Sequence, residues 1–251
     1  MKEKLAGINS IMEALKGPRK VHKIYIQENR QGKRIQEIIR IAHQKGVFIQ
    51  YVEKQRLDQI YRISNHQGIV AQVDNYEYSN LDTVFEFAAL KRQSPFLLIL
   101  DGLEDPQNLG NIIRTAESAG VHGIVIPRHN SSEVTTAVAK ASAGAVEHMH
   151  IVQETNIVNT IKDLKGYGLW IVGADMNADP EYYSIVLPDP IGLVIGGEGK
   201  GIRRLVKEHC DFMVKIPMWG KVSSLNASTA AALLIYEVVR QRSQSGRSQY
   251  H

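Results

Sequence analysis

The sequence holds a single cysteine, Cys210, among 251 residues. One thiol excludes an intrachain disulfide and any thiolate metal site that needs several cysteines. A chain of this length buries a substantial core without such staples, and the scarcity of thiols points to a reducing, cytoplasmic setting. Long apolar runs are missing too. None approaches the roughly 18 residues that mark a membrane-crossing helix, so no membrane span is expected. Met1-Lys2-Glu3-Lys4 is not followed by the apolar stretch of a secretory leader. The histidines, among them His43, His66, His122, His129, His148 and His150, show no metal-ligand spacing with carboxylates, so no metal is expected. His148 and His150 would share one side of a strand, where structural roles explain them more simply. Nucleophile elbows, cysteine–histidine signatures, internal repeats and low-complexity blocks are all absent. The Ser/Gln-rich tail from Ser243 to His251 is expected to fray.

What is present is a globular composition, 43% hydrophobic and 22% charged, with an uneven charge distribution. The net charge is +4, but residues 1–75 hold 14 Lys/Arg against 7 Asp/Glu, whereas the remainder is net acidic. A basic module joined to a different machine suggests a polyanionic partner, although a solvated basic surface explains the charge alone equally well.

Apolar spacing divides the chain in three. In residues 1–75, Ile8, Ile11, Met12 and Leu15 share a helical face. Residues 23–27, 47–52 and 69–73 read as strands. A helix over about 33–44 presents Ile35, Ile38, Ile39 and Ala42 inward, with Gly46 as its C-cap. Residues 76–94 read as a connector with one helix, and residues 95–251 as a second domain. There, continuous apolar runs at 96–100, 123–126, 169–172 and 191–195 have the pattern of strands buried on both faces. Helical patterns near 108–119, 133–141 and 156–164 separate them. This alternation predicts an α/β fold with a mostly parallel sheet and helices on both faces, preceded by a small α/β domain. The last helix, about Leu225 to Arg242, is apolar nearly all round, so it belongs in a deep core or a subunit interface.

Ligands of open α/β sheets gather beyond the carboxyl ends of the strands, and three unusual loops lie there. Asp101 to Arg114 runs from a strand into a helix. Asn108 and Arg114, six apart, share no helical face unless Asn108 precedes the helix; a capped helix start with a surface arginine is the plainer alternative. Gly196-Gly197-Glu198-Gly199-Lys200-Gly201 has more glycine than a tight turn needs, which suits close backbone approach to a ligand. It is not a phosphate loop of the Walker type, since no Lys-Ser/Thr pair ends it. In Ile216 to Ala227, Ser223 or Ser224 would cap the final helix. That cap leaves Asn226 unexplained, and its amide needs partners that a ligand could supply.

In order, these stretches resemble the three motifs of the SPOUT superfamily of RNA methyltransferases, in its SpoU/TrmH branch. Asn108-Leu109-Gly110-Asn111-Ile112-Ile113-Arg114 is similar to the first, the glycine loop to the second, and Ile216-Pro217-Met218 through Ser223-Ser224-Leu225-Asn226-Ala227-Ser228 to the third. Residues 1–75, opening Gly7-Ile8-Asn9-Ser10-Ile11-Met12-Glu13-Ala14-Leu15, resemble the RNA-binding substrate domain that many members carry. Ala227 and Thr229 depart from the valines common in relatives. The resemblance implies a C-terminal trefoil knot made by the second and third motifs, against the general rule that chains avoid knots. It also implies a homodimer and S-adenosyl-L-methionine as cofactor. Catalytic positions would be Asn108, Arg114, Glu198, Ser224 and Asn226, and Gly196, Gly197, Gly199, Gly201, Ile216, Met218 and Leu225 would hold the cofactor. The implied activity is methylation of a ribose 2′-hydroxyl, with rRNA favoured over tRNA and the ribosomal branch that modifies a large-subunit guanosine most similar. A tRNA ribose, a catalytically inactive RNA-binding assembly factor and a nucleotide switch are the alternatives.

Overall fold

The computed structural model describes residues 2–62 and 65–246; the last part of the tail expected to fray, 247–251, lies outside the described residues. The chain forms two compact units. The first comprises Met1–Glu77 together with Val134–His148, and the second Tyr78–Glu133 with Met149–His251.

The first unit is built on strands β1 (Lys2–Ala6), β2 (Val21–Gln27), β3 (Phe48–Val52) and β4 (Ile69–Asp74), with helices α1 (Ile8–Lys16), α2 (Lys33–Gln44) and α3 (Lys54–Ile60). The strand order is β1-β4-β2-β3. β4 is antiparallel to both of its neighbours, and β2 and β3 run parallel. Helical spacing places Ile11 and Leu15 of α1 and Ile35, Ile38 and Ala42 of α2 in the core. Leu57 of α3 packs with Ala6, Val52, Tyr61 and Val70 in a separate apolar cluster. β1 and α3 are absent from the sequence expectations. β1 opens Lys-Glu-Lys, with its apolar pair only at the end.

The second unit begins with α4 (Leu81–Leu90), β5 (Phe96–Asp101), α5 (Pro106–Ser118) and β6 (Gly123–Pro127). The chain then enters the first unit as α6 (Thr136–Ala141) and a single 3₁₀ turn, Ala145–His148. That return carries a carboxylate inward: Glu147 is buried, with its Oε2 3.0 Å from Nε of the equally buried Arg19. Burial pushes the Glu147 carboxyl up to about 7 against the lowering pull of Arg19. His148 lies in that turn and not on the strand expected for it; its Nε2 meets Glu13 at 2.9 Å.

The second unit continues through β7 (Ile151–Glu154), α7 (Ile157–Gly166), β8 (Trp170–Ala174), β9 (Ile191–Gly196), α8 (Arg204–Lys207), β10 (Phe212–Val214) and α9 (Ala227–Gln244). Its six strands follow the order β10-β8-β9-β5-β6-β7, and every pairing is parallel. All residues of β5 and β6 are buried, as their unbroken apolar runs require. Leu97, Ile99, Ile171 and Val194 meet Val84 of α4, Ile157, Ile161 and Leu164 of α7 and Val206 of α8 in one cluster. α5 and α9 pack on each other, and α9 also packs on β9. A mostly parallel sheet with flanking helices is therefore the fold, preceded in the chain by a smaller α/β module. Among the described residues, no helix is long and apolar enough to cross a membrane.

Candidate active site

The parallel sheet brings the carboxyl ends of β8, β9 and β10 to the same edge, and a cavity of about 740 Å³ opens beyond them. This lies within the roughly 300–1,000 Å³ range of small-molecule sites. Ala174 ends β8 and Asp175 to Asn177 follow it, the glycine loop starts at the last residue of β9, and Ile216 and Met218 follow β10. Ser223 to Ala227, at the start of α9, form the remaining wall.

The glycines of the loop have different physical grounds. A Cβ on Gly196 would sit 2.1 Å from the carbonyl carbon of Gly201, and one on Gly197 would sit 2.1 Å from the Gly102 carbonyl oxygen. These two positions are glycine because backbone crosses backbone there. Gly199 and Gly201 have open space where a Cβ would stand, but their φ values of +76° and +62° are ones that L side chains rarely adopt. The loop is anchored by Asp101, buried at the end of β5. The Asp101 carbonyl accepts from Gly197 N at 2.9 Å, and its carboxylate accepts from Arg203 N at 2.8 Å and Arg203 Nε at 2.8 Å. Sequence reasoning missed this anchor; an aspartate ending an otherwise apolar strand was its only signal.

At the lip of the cavity three side chains from distant parts of the chain converge. Asn226 Nδ2 donates to Asn108 Oδ1 at 2.9 Å and to Glu198 Oε1 at 3.1 Å. Asn108 Nδ2 donates to the same Glu198 oxygen. Asn108 is held by α5, whose N-cap Asp105 accepts from Gln107 N and Asn108 N at 3.1 Å, with Pro106 opening the helix. Asn226 is itself the N-cap of α9: its Oδ1 accepts from Ser228 N at 2.9 Å and Thr229 N at 3.4 Å. The expectation of a Ser223 or Ser224 cap is thereby corrected. The helix starts two residues later than the apolar pattern suggests, because the asparagine carbonyl reaches both free amides. With its carbonyl committed to the helix, the Asn226 amide must point its N–H₂ group elsewhere, and Glu198 and Asn108 receive it.

Of the residues singled out in the sequence, Gly196, Gly197, Glu198, Gly199, Gly201, Ile216, Met218, Ser224, Leu225 and Asn226 line the cavity. Asn108 is buried and outside the lining, in contact with Glu198 and Asn226. Arg114 is not among the lining residues. Asn108 lies inside α5 and not before it, so Arg114, six residues on, faces solvent from the same helix. The segment after β8 was also missed. Asp175 there pairs with Lys207 and accepts from Asn177 N at 2.9 Å. Burial raises the Asp175 carboxyl, but the Lys207 ammonium and the Asn177 amide outweigh it and hold it below the usual carboxylate range.

The cavity lining thus combines the apolar Ile195, Ile216, Met218 and Leu225 with the charged Asp175, Glu198, Lys200 and Lys207. Such a lining accepts a flat heterocycle against its apolar residues and a charged or hydroxyl-rich group against its polar ones.

Known proteins share this architecture. Residues 95–236 match the model of the SpoU rRNA Methylase family, and residues 4–79 match the model described as RNA 2'-O ribose methyltransferase substrate binding. A TrmH family tRNA/rRNA methyltransferase of Bacillus subtilis (strain 168) is 49% identical over 240 residues, spanning 96% of each chain. The SpoU methyltransferase AviRb of Streptomyces viridochromogenes, solved in complex with AdoMet, superposes with a TM-score of 0.79 at 24% identity, covering 97% of this chain and 91% of its own. An AdoMet-bound rRNA methyltransferase of Sinorhizobium meliloti gives 0.77 at 22% identity, covering 97% and 87%. The chain belongs to the SpoU/TrmH family of RNA methyltransferases.

Proposed function

We propose that the chain transfers a methyl group from S-adenosyl-L-methionine to a ribose 2′-hydroxyl of RNA, with a guanosine of large-subunit rRNA as its target. The observation that carries this reading is the meeting of Asn108, Glu198 and Asn226 at the lip of a cavity walled by the glycine loop and the Ser223–Ala227 segment. The match of residues 4–79 to a model of ribose-methyltransferase substrate binding supports a ribose as acceptor.

The residues fit the cofactor. The apolar residues suit its adenine, the backbone around Gly196, Ile216 and Leu225 offers close approach, and the Glu198 carboxylate suits a sulfonium cation. When bound, it supplies a methyl group already activated for in-line transfer. The chain then has to align the 2′-hydroxyl and accommodate its proton, and alignment alone supplies several kcal/mol. Glu198, held by two amides, and Asn226 position the ribose, and Ser224 completes that wall. Arg114, on the solvent face of α5, is cast as a cation that steadies the developing alkoxide and the neighbouring phosphate. A guanidinium almost never gives up its proton in a protein, which counts against a role as base.

Residues 1–75 serve in this reading as the RNA-binding domain, 76–94 as connector and 95–251 as the methyl-transfer domain. The proposal includes the trefoil knot of the second and third motifs and a homodimer in the cytoplasm. Leu233 and Tyr236, exposed on α9 in the single chain, are the apolar surface such a dimer would cover. The test is to map 2′-O-methyl groups in rRNA and tRNA from cells with and without the gene. Loss of one guanosine mark in the large-subunit rRNA is expected. A lost tRNA mark would move the target, and no lost mark would end the reading.

A further inference from the structure

The first unit carries an open patch of sheet that the proposed chemistry leaves unused. The strand registers place Lys4 opposite Gln72, Gln72 opposite Lys23, and Lys23 opposite Phe48. One cross-strand row of cation, amide, cation and aromatic ring therefore spans all four strands. The adjacent row, Ala6, Val70, Tyr25 and Gln50, lies on the same face. Leu57 and Tyr61 pack over the inner part of that second row, against Ala6 and Val70. The first row lies outside this cluster. Phe48 is 62% exposed on an edge strand, a position where a large apolar ring is a liability unless something uses it. The Lys23 ammonium sits 4.7 Å from the Tyr25 ring centre and 5.1 Å from that of Phe48, so the cation and the two rings form one surface. Lys4 Nζ reaches the Ile60 carbonyl at 2.9 Å and stays exposed.

We infer that this row is a platform for single-stranded RNA: a base stacks on Phe48, and Lys23 and, farther along the row, Lys4 hold phosphates of the strand that runs on from it. An exposed ring beside cations on an open sheet matches what unpaired bases need, a π-face and backbone neutralisation, while a duplex hides its bases from such a ring. The excess of positive charge in residues 1–75 favours a polyanion over an apolar protein partner. The inference rests on the reading of the chain as an RNA methyltransferase and adds which face of the first unit grips the substrate, and in what form.

The test uses the full chain and a 12-nucleotide single-stranded RNA carrying one 2-aminopurine, with a blunt RNA duplex of equal length as comparison. Wild type should bind the single strand more tightly and quench the fluorescent base. Phe48→Ala should weaken single-strand binding about tenfold and remove the quenching, and Phe48→Trp should keep both. Lys23→Gln should weaken binding and lower the salt slope by about one. Because Phe48 is exposed, thermal melts of the variants should match wild type, and S-adenosyl-L-methionine binding, read by calorimetry, should not change. Unchanged RNA affinity in Phe48→Ala overturns the platform, as does equal sensitivity of duplex binding. Loss of self-association with RNA binding intact would reassign the patch to a protein interface and overturn it too. Absence of cofactor binding in wild type would instead strike the methyltransferase reading, so the two failures are distinguishable.

Discussion

Asn226 carries two duties with one amide: its carbonyl caps α9, and its N–H₂ group ties Asn108 to Glu198. Removing it should therefore cost both stability and activity. Asn226→Ala is expected to lower unfolding free energy by about 1–2 kcal/mol through the lost cap. Its kcat should fall about a hundredfold, as when one positioned hydrogen-bonding group is lost from an active site. Asn226→Ser, which restores a cap but not the amide, should recover the stability in urea titrations and leave kcat low. If Asn226→Ser recovers both, the amide network does not serve catalysis. Arg114 calls for a different experiment, because the structure places it on the solvent face of α5 and away from the cavity lining. Arg114→Lys should remain poorly active at every pH in a methylation assay, since a lysine cannot reproduce the planar fork. Recovery of most activity at raised pH would favour a base.

At the scale of the elements, the loop after β9 and the start of β6 make separate predictions. Gly197→Ala would force a Cβ to 2.1 Å from a backbone oxygen, so the β5 and β9 exits cannot both keep their places. A loss of about 3 kcal/mol or more is expected. Gly199→Ala meets no atom and bears only the cost of a left-handed residue, about 1 kcal/mol. Chemical denaturation of the two variants distinguishes crowding from conformational strain, and equal losses would contradict this assignment. His122, just before β6, accepts from Phe96 N at 3.0 Å and meets Gln93 Oε1 at 3.0 Å. Burial, helped by the Arg242 charge, pushes its pKa down to about 4. A neutral buried imidazole binds fewer protons folded than unfolded. Its contribution, roughly 3 kcal/mol at most, is thus complete above pH 6.5 and lost as pH falls toward 4. Melting curves of wild type should drop across that window more steeply than those of His122→Gln, and parallel curves would exclude His122 as the cause.

For the whole molecule, the return of residues 134–148 into the first unit matters most. Ser10 Oγ donates to the Ala139 carbonyl at 3.1 Å, and the buried Arg19 lies against Glu147. A fragment ending at residue 80 would lose these partners and leave a buried guanidinium with less compensation. It is expected to be markedly less stable than the same unit within the full chain. Hydrogen exchange should show poor protection in α1 and β1 of the fragment. Full-chain levels of protection there would show that the return segment is dispensable.

The sequence by itself determined the strands β5, β6 and β9, because a strand covered on two faces must be apolar nearly throughout; β8 was legible by the same pattern although its first residue, Trp170, is exposed, and the return of 134–148 into the first unit was not legible. It also marked the glycine loop and the stretch around Asn226, since four glycines in six residues are locally unusual and an asparagine stood inside the helix expected from about Leu225. The short strands β1 and β10 escaped it, their pairing being decided by neighbours distant in the chain. Only the tertiary structure decided which glycines yield to a crossing backbone, which residue caps α9, and that Arg114 is exposed on α5 outside the cavity lining. Local pattern records what a residue prefers, whereas a contact between Asn108, Glu198 and Asn226 depends on where a six-stranded sheet sets down loops far apart in the sequence.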